Sequence, residues 1–182
     1  ELNMKIALTG HTSGIGKALY DILSVDHEIL CFSRSNGYDI SKRDNIEKIV
    51  QESLDCDVFI NNAYYSISQV YILNELWEFW RRDKTKTIVN NSSLSKYPGI
   101  SGNSGGYSAH KAALSHQAFL LMFRSQRKCR MINVNPGFVE SNMTKGVTAN
   151  MLTAPECAEC IAWAISLPQH IEIGELSVWR PY

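Results

Sequence analysis

Apolar, β-branched runs alternate with stretches of helical period along almost the whole chain. Lys5 to Thr9, Glu28 to Phe32, Asp57 to Asn61, Thr87 to Asn91, Arg130 to Asn135 and Leu176 to Trp179 read as strands, and Tyr38 to Ile40 as a very short third strand in chain order. Between them, Ile15 to Leu23 places Ile15, Leu19, Ile22 and Leu23 on one helical face. Ser41 to Asp44 has the spacing of a capping box, opening a helix through about Glu52 with Ile46, Ile49 and Val50 inward. Further helices are predicted over Ser68 to Arg82, Gly106 to Arg124 and, with Pro155 in its first turn, on to about Leu167.

Continuously apolar strands alternating with helices imply a parallel sheet covered on both faces. Right-handed crossovers leave the doubly wound Rossmann arrangement as the simplest solution: an α/β/α three-layer domain with about seven strands. With 182 residues and no linker, repeat or low-complexity tract, a single domain over 1–182 is expected. That length can bury a core without disulfides or metals.

Lys plus Arg and Asp plus Glu number 18 each, so no net field favours nucleic acid or an anionic membrane as partner. No apolar run is long enough to cross a bilayer, and the N-terminal apolar stretch leads directly into a glycine loop rather than a cleavage site. Met4 is the expected native start. Five cysteines without a framework of spacings point to a reducing, cytoplasmic setting, where the sequons at Asn91 and Asn142 are not used. Cys157 and Cys160 form a lone Cys-x-x-Cys pair and are expected to be two small helical residues, not metal ligands.

Thr9-Gly10-His11-Thr12-Ser13-Gly14-Ile15-Gly16 follows the first strand and opens the first helix. Gly10 permits a tight turn, Gly14 lets backbone approach a pyrophosphate, and Gly16 lets helix and strand pack closely. The helix N-terminus adds free N–H groups and partial positive charge. Lys17 either faces that phosphate or is solvated. A dinucleotide-binding fold commonly carries an acid at the end of the second strand to hold the 2′-hydroxyl. Here Ser33 and Arg34 stand there instead, a donor and a guanidinium suited to a 2′-phosphate. NADP(H) is therefore the expected cofactor, with NAD(H) the alternative.

Tyr107 and Lys111 share a helix face at i, i+4. A nearby ammonium favours phenolate, so Lys111 is expected to lower the Tyr107 pKa and also to hold the nicotinamide ribose. Tyr107 would then act as general acid or base. Ser93, off the end of the fifth predicted strand, is expected to hold the substrate oxygen, with Ser92 and Ser95 as alternatives.

In this order, the glycine loop, Asn61-Asn62-Ala63, the serines and Tyr-x-x-x-Lys resemble the short-chain dehydrogenase/reductase family. The resemblance implies an oxidoreductase acting on a small carbonyl or alcohol. It also implies cofactor contacts from Thr12, Ser13, Ile15, Asp39 (against adenine), Asn62 and Ala63. Asn135-Pro136-Gly137-Phe138-Val139-Glu140-Ser141 resembles the family's Pro-Gly motif, which implies contacts to the nicotinamide carboxamide near Val139 and Ser141. The family pairs through helices like Ser68–Arg82 and Gly106–Arg124, implying a homodimer or homotetramer. A nucleotide-binding sensor without turnover is the alternative function.

Departures from the pattern are local. Ser33 to Tyr38 is too short for a connecting helix, Ala63 to Thr87 has room for one helix, and Thr144 to Thr153 is too short for the usual substrate lid. Tyr64 replaces the glycine that follows Asn-Asn-Ala. The family asparagine behind the lysine has no clear counterpart, leaving Gln69 or Asn74. His110 is expected to point away from Tyr107 and to take no part in catalysis. The Trp77, Phe79 and Trp80 cluster is expected to be core or interface.

Overall fold

The computed structural model describes residues 3–99 and 106–181. Glu1 and Leu2, part of the lead expected before the native start, lie outside them, as does Tyr182. Six parallel strands, β1 (Lys5–Thr9), β2 (Glu28–Phe32), β3 (Val58–Asn61), β4 (Thr87–Asn91), β5 (Arg130–Pro136) and β6 (Leu176–Val178), form one sheet in the order β2-β1-β3-β4-β5-β6. Helices α1 (Gly14–Leu23) and α5 (Ala154–Ser166) cover one face; α2 (Arg43–Glu52), α3 (Ser68–Trp80) and α4 (Gly106–Met122) cover the other.

Tyr38–Ile40 is not a strand. A parallel crossover needs a dozen or more residues, and only five separate Phe32 from Tyr38. The chain instead makes a short 3₁₀ turn over Arg34–Asn36, closed by Gly37 at φ 95° and by a Tyr38 N–H to Ser33 carbonyl bond of 2.9 Å. β2 is therefore an edge strand. Nor does Ser41 cap α2: Lys42 is the N-cap, without a side-chain bond, because the Ser41 N–H is held by Asp39 Oδ1 at 3.0 Å. Among the α-helices a reciprocal capping box forms at α5, where Thr153 and Glu156 satisfy each other's backbone N–H groups.

Alternation along the strands sorts the side chains. Ala7, Phe59, Ile88 and Met131 meet α2, α3 and α4, while Ile6, Leu8, Ile60, Val89 and Ile132 meet α1 and α5. Each fully buried Ile or Leu contributes roughly 1.5–3 kcal/mol. Trp77 and Trp80 belong to the core, whereas Phe79 is exposed. One polar row crosses this interior. Asn61, Asn90 and Asn133 are in register on β3, β4 and β5, all 0 % exposed. Asn61 Nδ2 donates to Asn90 Oδ1 (3.2 Å), Asn90 Nδ2 to Asn133 Oδ1 (3.0 Å), and Asn133 Nδ2 to the Gly174 carbonyl (2.9 Å).

Candidate active site

From β1 the chain crosses first to β2 on one side and later to β3 on the other. The carboxyl ends of β1 and β3 thus flank the topological switch point, where open α/β sheets place ligands. The glycine turn lies there. Gly10 (φ 76°) and Gly14 (φ 53°) adopt left-handed backbone. A Cβ on Gly16 would stand 1.9 Å from the Gly10 carbonyl oxygen, whereas one on Gly14 would meet open space. Ile15 packs on the α1–α5 core, while Thr12 and Ser13 are exposed. Ser13 is the N-cap of α1 but makes no side-chain cap bond, and no acid stands in the first turn. Lys17 pairs with Asp21 at 2.6 Å on the outer face of α1.

Residues after β3 clamp this turn. Thr9 Oγ1 accepts from the N–H groups of Asn62 (2.9 Å) and Ala63 (3.0 Å). Asn62 Nδ2 donates to the carbonyls of Thr9 (3.0 Å) and Gly10 (3.3 Å), and Asn62 Oδ1 accepts from Asn91 Nδ2 (2.8 Å). The Asn62 amide is thus committed to the protein, leaving backbone as the surface Asn62 and Ala63 offer outward.

At the end of β2, Ser33 Oγ is paired with Ser35 Oγ at 2.7 Å, and Arg34 is exposed. Asp39 turns inward on its own loop. Bonds from Ser41, with the charges of Lys42 and Arg34 adding to them, hold its carboxyl below the usual range. A cavity of about 510 Å³ opens next to the glycine turn, lined by His11, Thr12, Lys17, Tyr20, Ile29 and Cys31.

Tyr107 and Lys111 lie on adjacent turns of α4, the Lys111 Nζ 5.6 Å from the Tyr107 ring centre. Ser93, N-cap of the 3₁₀ turn after β4, accepts from the Ser95 N–H (3.1 Å) and lies in hydrogen-bonding reach of the Tyr107 phenol. Ser92 faces the other way: its hydroxyl donates to the Lys111 carbonyl (3.1 Å) and pairs with Ser115 (2.9 Å). Ser95 reaches the site only through Ser93, at 3.0 Å. Of the three serines, Ser93 alone is brought to Tyr107.

Lys111 is 3 % exposed. Its amine donates to Gln69 Oε1 and to the Asn91 carbonyl, both at 2.7 Å. Gln69 in turn donates to the carbonyls of Asn61 (2.7 Å) and Asn91 (3.2 Å). Gln69 therefore occupies the place behind the lysine, and Asn74 does not; Asn74 accepts from Gln117 at 2.6 Å on the α3–α4 contact. The electrostatics differ from the expectation. Burial without an acidic partner pushes the Lys111 pKa down to about 7, so the amine is a weak source of positive charge. Burial raises the Tyr107 pKa, opposed by the Ser93 bond, with no lowering from Lys111.

The segment after β5 is ordered by backbone contacts. The Gly137 N–H donates to the Val178 carbonyl (2.8 Å), and a Cβ there would stand 2.9 Å from Trp179 Cβ. Pro136 ends β5, Val139 bridges to Leu152, and Ser141 caps a 3₁₀ turn over Asn142–Thr144. A cavity of about 290 Å³ between Ser95–Gly99 and Ser108, Ala109 and Ala112 lies on a face of α4 that carries neither Tyr107 nor Lys111.

Sequence reasoning missed the role of Tyr64 and His110. The Tyr64 ring packs edge-on against Tyr107 (4.8 Å between centres, 70°) and lies 5.4 Å from Lys111 Nζ. Its hydroxyl is paired with His110 Nδ1 at 3.0 Å. The signal was present as the one large residue in a motif position normally held by glycine.

The sequence matches no protein-family model and no curated relative. Solved structures are nonetheless similar over nearly the whole chain. A short-chain dehydrogenase from Burkholderia cenocepacia in complex with NADP superposes with a TM-score of 0.82 at 16 % identity, over 96 % of this chain and 87 % of the other. An alcohol dehydrogenase from Thermococcus sibiricus with 5-hydroxy-NADP gives 0.77 at 17 %, over 100 % of both. The 3-ketoacyl-(acyl-carrier-protein) reductase of Brucella melitensis with NADH gives 0.79 at 17 %, over 98 % of both. The chain has the fold of the short-chain dehydrogenases and reductases.

Proposed function

We propose that the chain is an NADP(H)-dependent oxidoreductase of the short-chain dehydrogenase/reductase type, interconverting a small carbonyl and its alcohol. The observation that carries this is the convergence of Ser93, Tyr107 and Lys111, backed by Gln69, at the carboxyl edge of the sheet on which the glycine turn also lies.

The residues fit the cofactor. The first turn of α1 is uncapped by any side chain and free of acids, and nothing fills the space beside Gly14. Gly10, Thr12, Ser13, Gly14, Ile15 and Gly16 would line the pyrophosphate, and Ser33 and Arg34 would receive a 2′-phosphate. Asp39 would border the adenine and Asn62 and Ala63 the neighbouring ribose. Pro136, Gly137, Val139 and Ser141 would meet the carboxamide end. Bound there, the nicotinamide supplies or accepts hydride.

Ser93 orients the substrate oxygen by donating to it. Tyr107 delivers a proton to that oxygen in reduction and removes it in oxidation. A phenol kept protonated by burial suits the reductive direction. Lys111 donates to the cofactor ribose, held in place by Gln69 and Asn91. Tyr71 and Phe79 on α3, Leu120 on α4 and Phe123 just past the end of α4 are exposed, the surface through which a homodimer or homotetramer would form. Five unpaired cysteines accord with a cytoplasmic setting, and no described helix is long and apolar enough to cross a membrane.

The test is twofold. Quenching of tryptophan fluorescence by NADPH measures binding, and a panel of aldehydes, ketones and quinones, read by NADPH absorbance, measures turnover. Tyr107→Phe should abolish turnover and keep binding. Tight binding with no turnover on any substrate would replace the enzyme by a nucleotide-binding sensor.

A further inference from the structure

Lys111 is enclosed on every side that the structure describes. Two of its three ammonium donors are used by Gln69 and Asn91. The rings of Tyr64 and Tyr107, at 5.4 and 5.6 Å, close over the amine. A lysine that must grip a ribose is here only 3 % exposed. Tyr107 is needed at the reacting oxygen; Tyr64 is not. Tyr64 also belongs to neither apolar core and is itself only partly buried. Its ring is fixed by its edge contact with Tyr107 and its 3.0 Å bond to His110 Nδ1. His110 Nε2 lies 3.4 Å from the hydroxyl of Ser66, a non-glycine residue at φ 46° in the same loop. A ring held by one aromatic edge contact and one polar anchor, outside both apolar cores, can swing outward at the cost of those two contacts alone.

We propose that Tyr64 is an aromatic cover over Lys111, latched by His110, which must be displaced before the nicotinamide half of NADP(H) can engage the amine. This rests on the cofactor reading above and adds a residue that controls it. The adenine half seats without moving the cover, and the nicotinamide half seats only in the fraction of molecules whose cover is open. The apparent affinity for the whole dinucleotide is reduced by that fraction, whereas a ligand spanning only the adenine half is unaffected.

The test is calorimetric titration of the full chain with two probes, NADPH and 2′,5′-ADP, the latter carrying the adenine end and its phosphates without nicotinamide. Wild type is compared with Tyr64→Gly, which removes the cover, and with Tyr64→Phe and His110→Leu, which remove only the latch. If the cover is open about one tenth of the time, Tyr64→Gly tightens NADPH about tenfold. Loss of the latch alone tightens it roughly two- to tenfold, the range set by one hydrogen bond and capped by the open fraction. 2′,5′-ADP stays within about twofold in every variant, since it never reaches the cover.

NADPH bound no better, or more weakly, by Tyr64→Gly with 2′,5′-ADP unchanged overturns the cover while leaving the cofactor reading standing. Should Tyr64→Gly fail to fold, the two latch variants decide: unchanged NADPH affinity in both overturns the proposal. Wild type that binds neither probe brings down the cofactor reading, and the cover with it.

Discussion

Lys111 and Gln69 are joined by a 2.7 Å hydrogen bond from the lysine amine to the glutamine side-chain oxygen, both residues at most 3 % exposed. Because Gln69 also donates to the Asn61 and Asn91 carbonyls, one side chain ties α4 to two strand ends. Gln69→Leu leaves these groups unpaired in a dry site, at about 1–3 kcal/mol for each orphaned group. Urea unfolding should show that loss, with turnover falling alongside it. Unchanged stability would mean that water replaces the amide.

Lys111 gives stability a particular pH dependence. Its pKa falls from 10.5 in the unfolded chain to about 7 on folding, because burial penalises the charged form. Between those values the unfolded chain holds a proton that the folded chain has released. Stability therefore rises with pH across the window, by up to about 1.4 kcal/mol per unit. Lys111→Met lacks this group, so the difference in stability between wild type and variant should shift in favour of wild type from pH 7 to 10. A flat difference would show that Lys111 stays charged in the folded protein.

The serines should separate cleanly. Ser93→Ala removes the donor beside Tyr107 and should lower turnover on the order of 10²–10³-fold with little change in NADPH affinity. Ser92→Ala breaks its link to Ser115 and to the Lys111 carbonyl. It should cost about 1–2 kcal/mol of stability and leave turnover within a few-fold. Reversal of these two results would move the catalytic role to Ser92.

Two glycines in one loop should fail differently. Gly16→Ala drives a methyl group into the Gly10 carbonyl and should cost about 3 kcal/mol or more, with loss of soluble protein. Gly14→Ala meets no atoms but is held at φ 53°. It should cost only about 1–2 kcal/mol, while weakening NADPH by crowding the phosphate. Thermal melts and NADPH titration on the pair distinguish the two.

Arg34 is exposed and carries the cofactor preference if the 2′-phosphate lies there. A charge-assisted bond is worth about 1.5–3 kcal/mol. Arg34→Ala should therefore weaken NADPH roughly 10- to 100-fold and leave NADH nearly unaffected. Equal loss for both dinucleotides would place the 2′-phosphate elsewhere.

Most of the fold was legible because it is written in apolar periodicity: six of the predicted strands and all five helices form within a few residues of their expected ends. The failure at Tyr38–Ile40 came from reading β propensity without asking whether the chain had length enough to cross back. The failure at Ser41 came from a motif match whose backbone N–H was already taken by Asp39. In the site, linear spacing could put Tyr107 and Lys111 on one face and could narrow the serine to three. It could not choose among them, because that depends on which hydroxyl the strand end turns toward α4. Nor could it weigh burial against charge, which is why the Tyr107 pKa moves opposite to expectation. The mutual approach of Tyr64 and His110, 46 residues apart, is tertiary and invisible in a linear motif.

The row of asparagines from Asn61 through Asn90 to Asn133 has a consequence for where chemistry can occur. A one-residue slip of β4 that set Val89 opposite the flanking amides would strand them in hydrocarbon. Misaligned pairings are thereby penalised by polarity, which greasy strands alone would tolerate. The row works as a common benchmark across the middle of the sheet. It fixes how far each of the three strands has climbed when it ends: β3 stops at the row itself, β4 runs on to Asn91 and β5 to Pro136, so the loops bearing Asn62, Ser93 and Gly137 leave the sheet in rising steps.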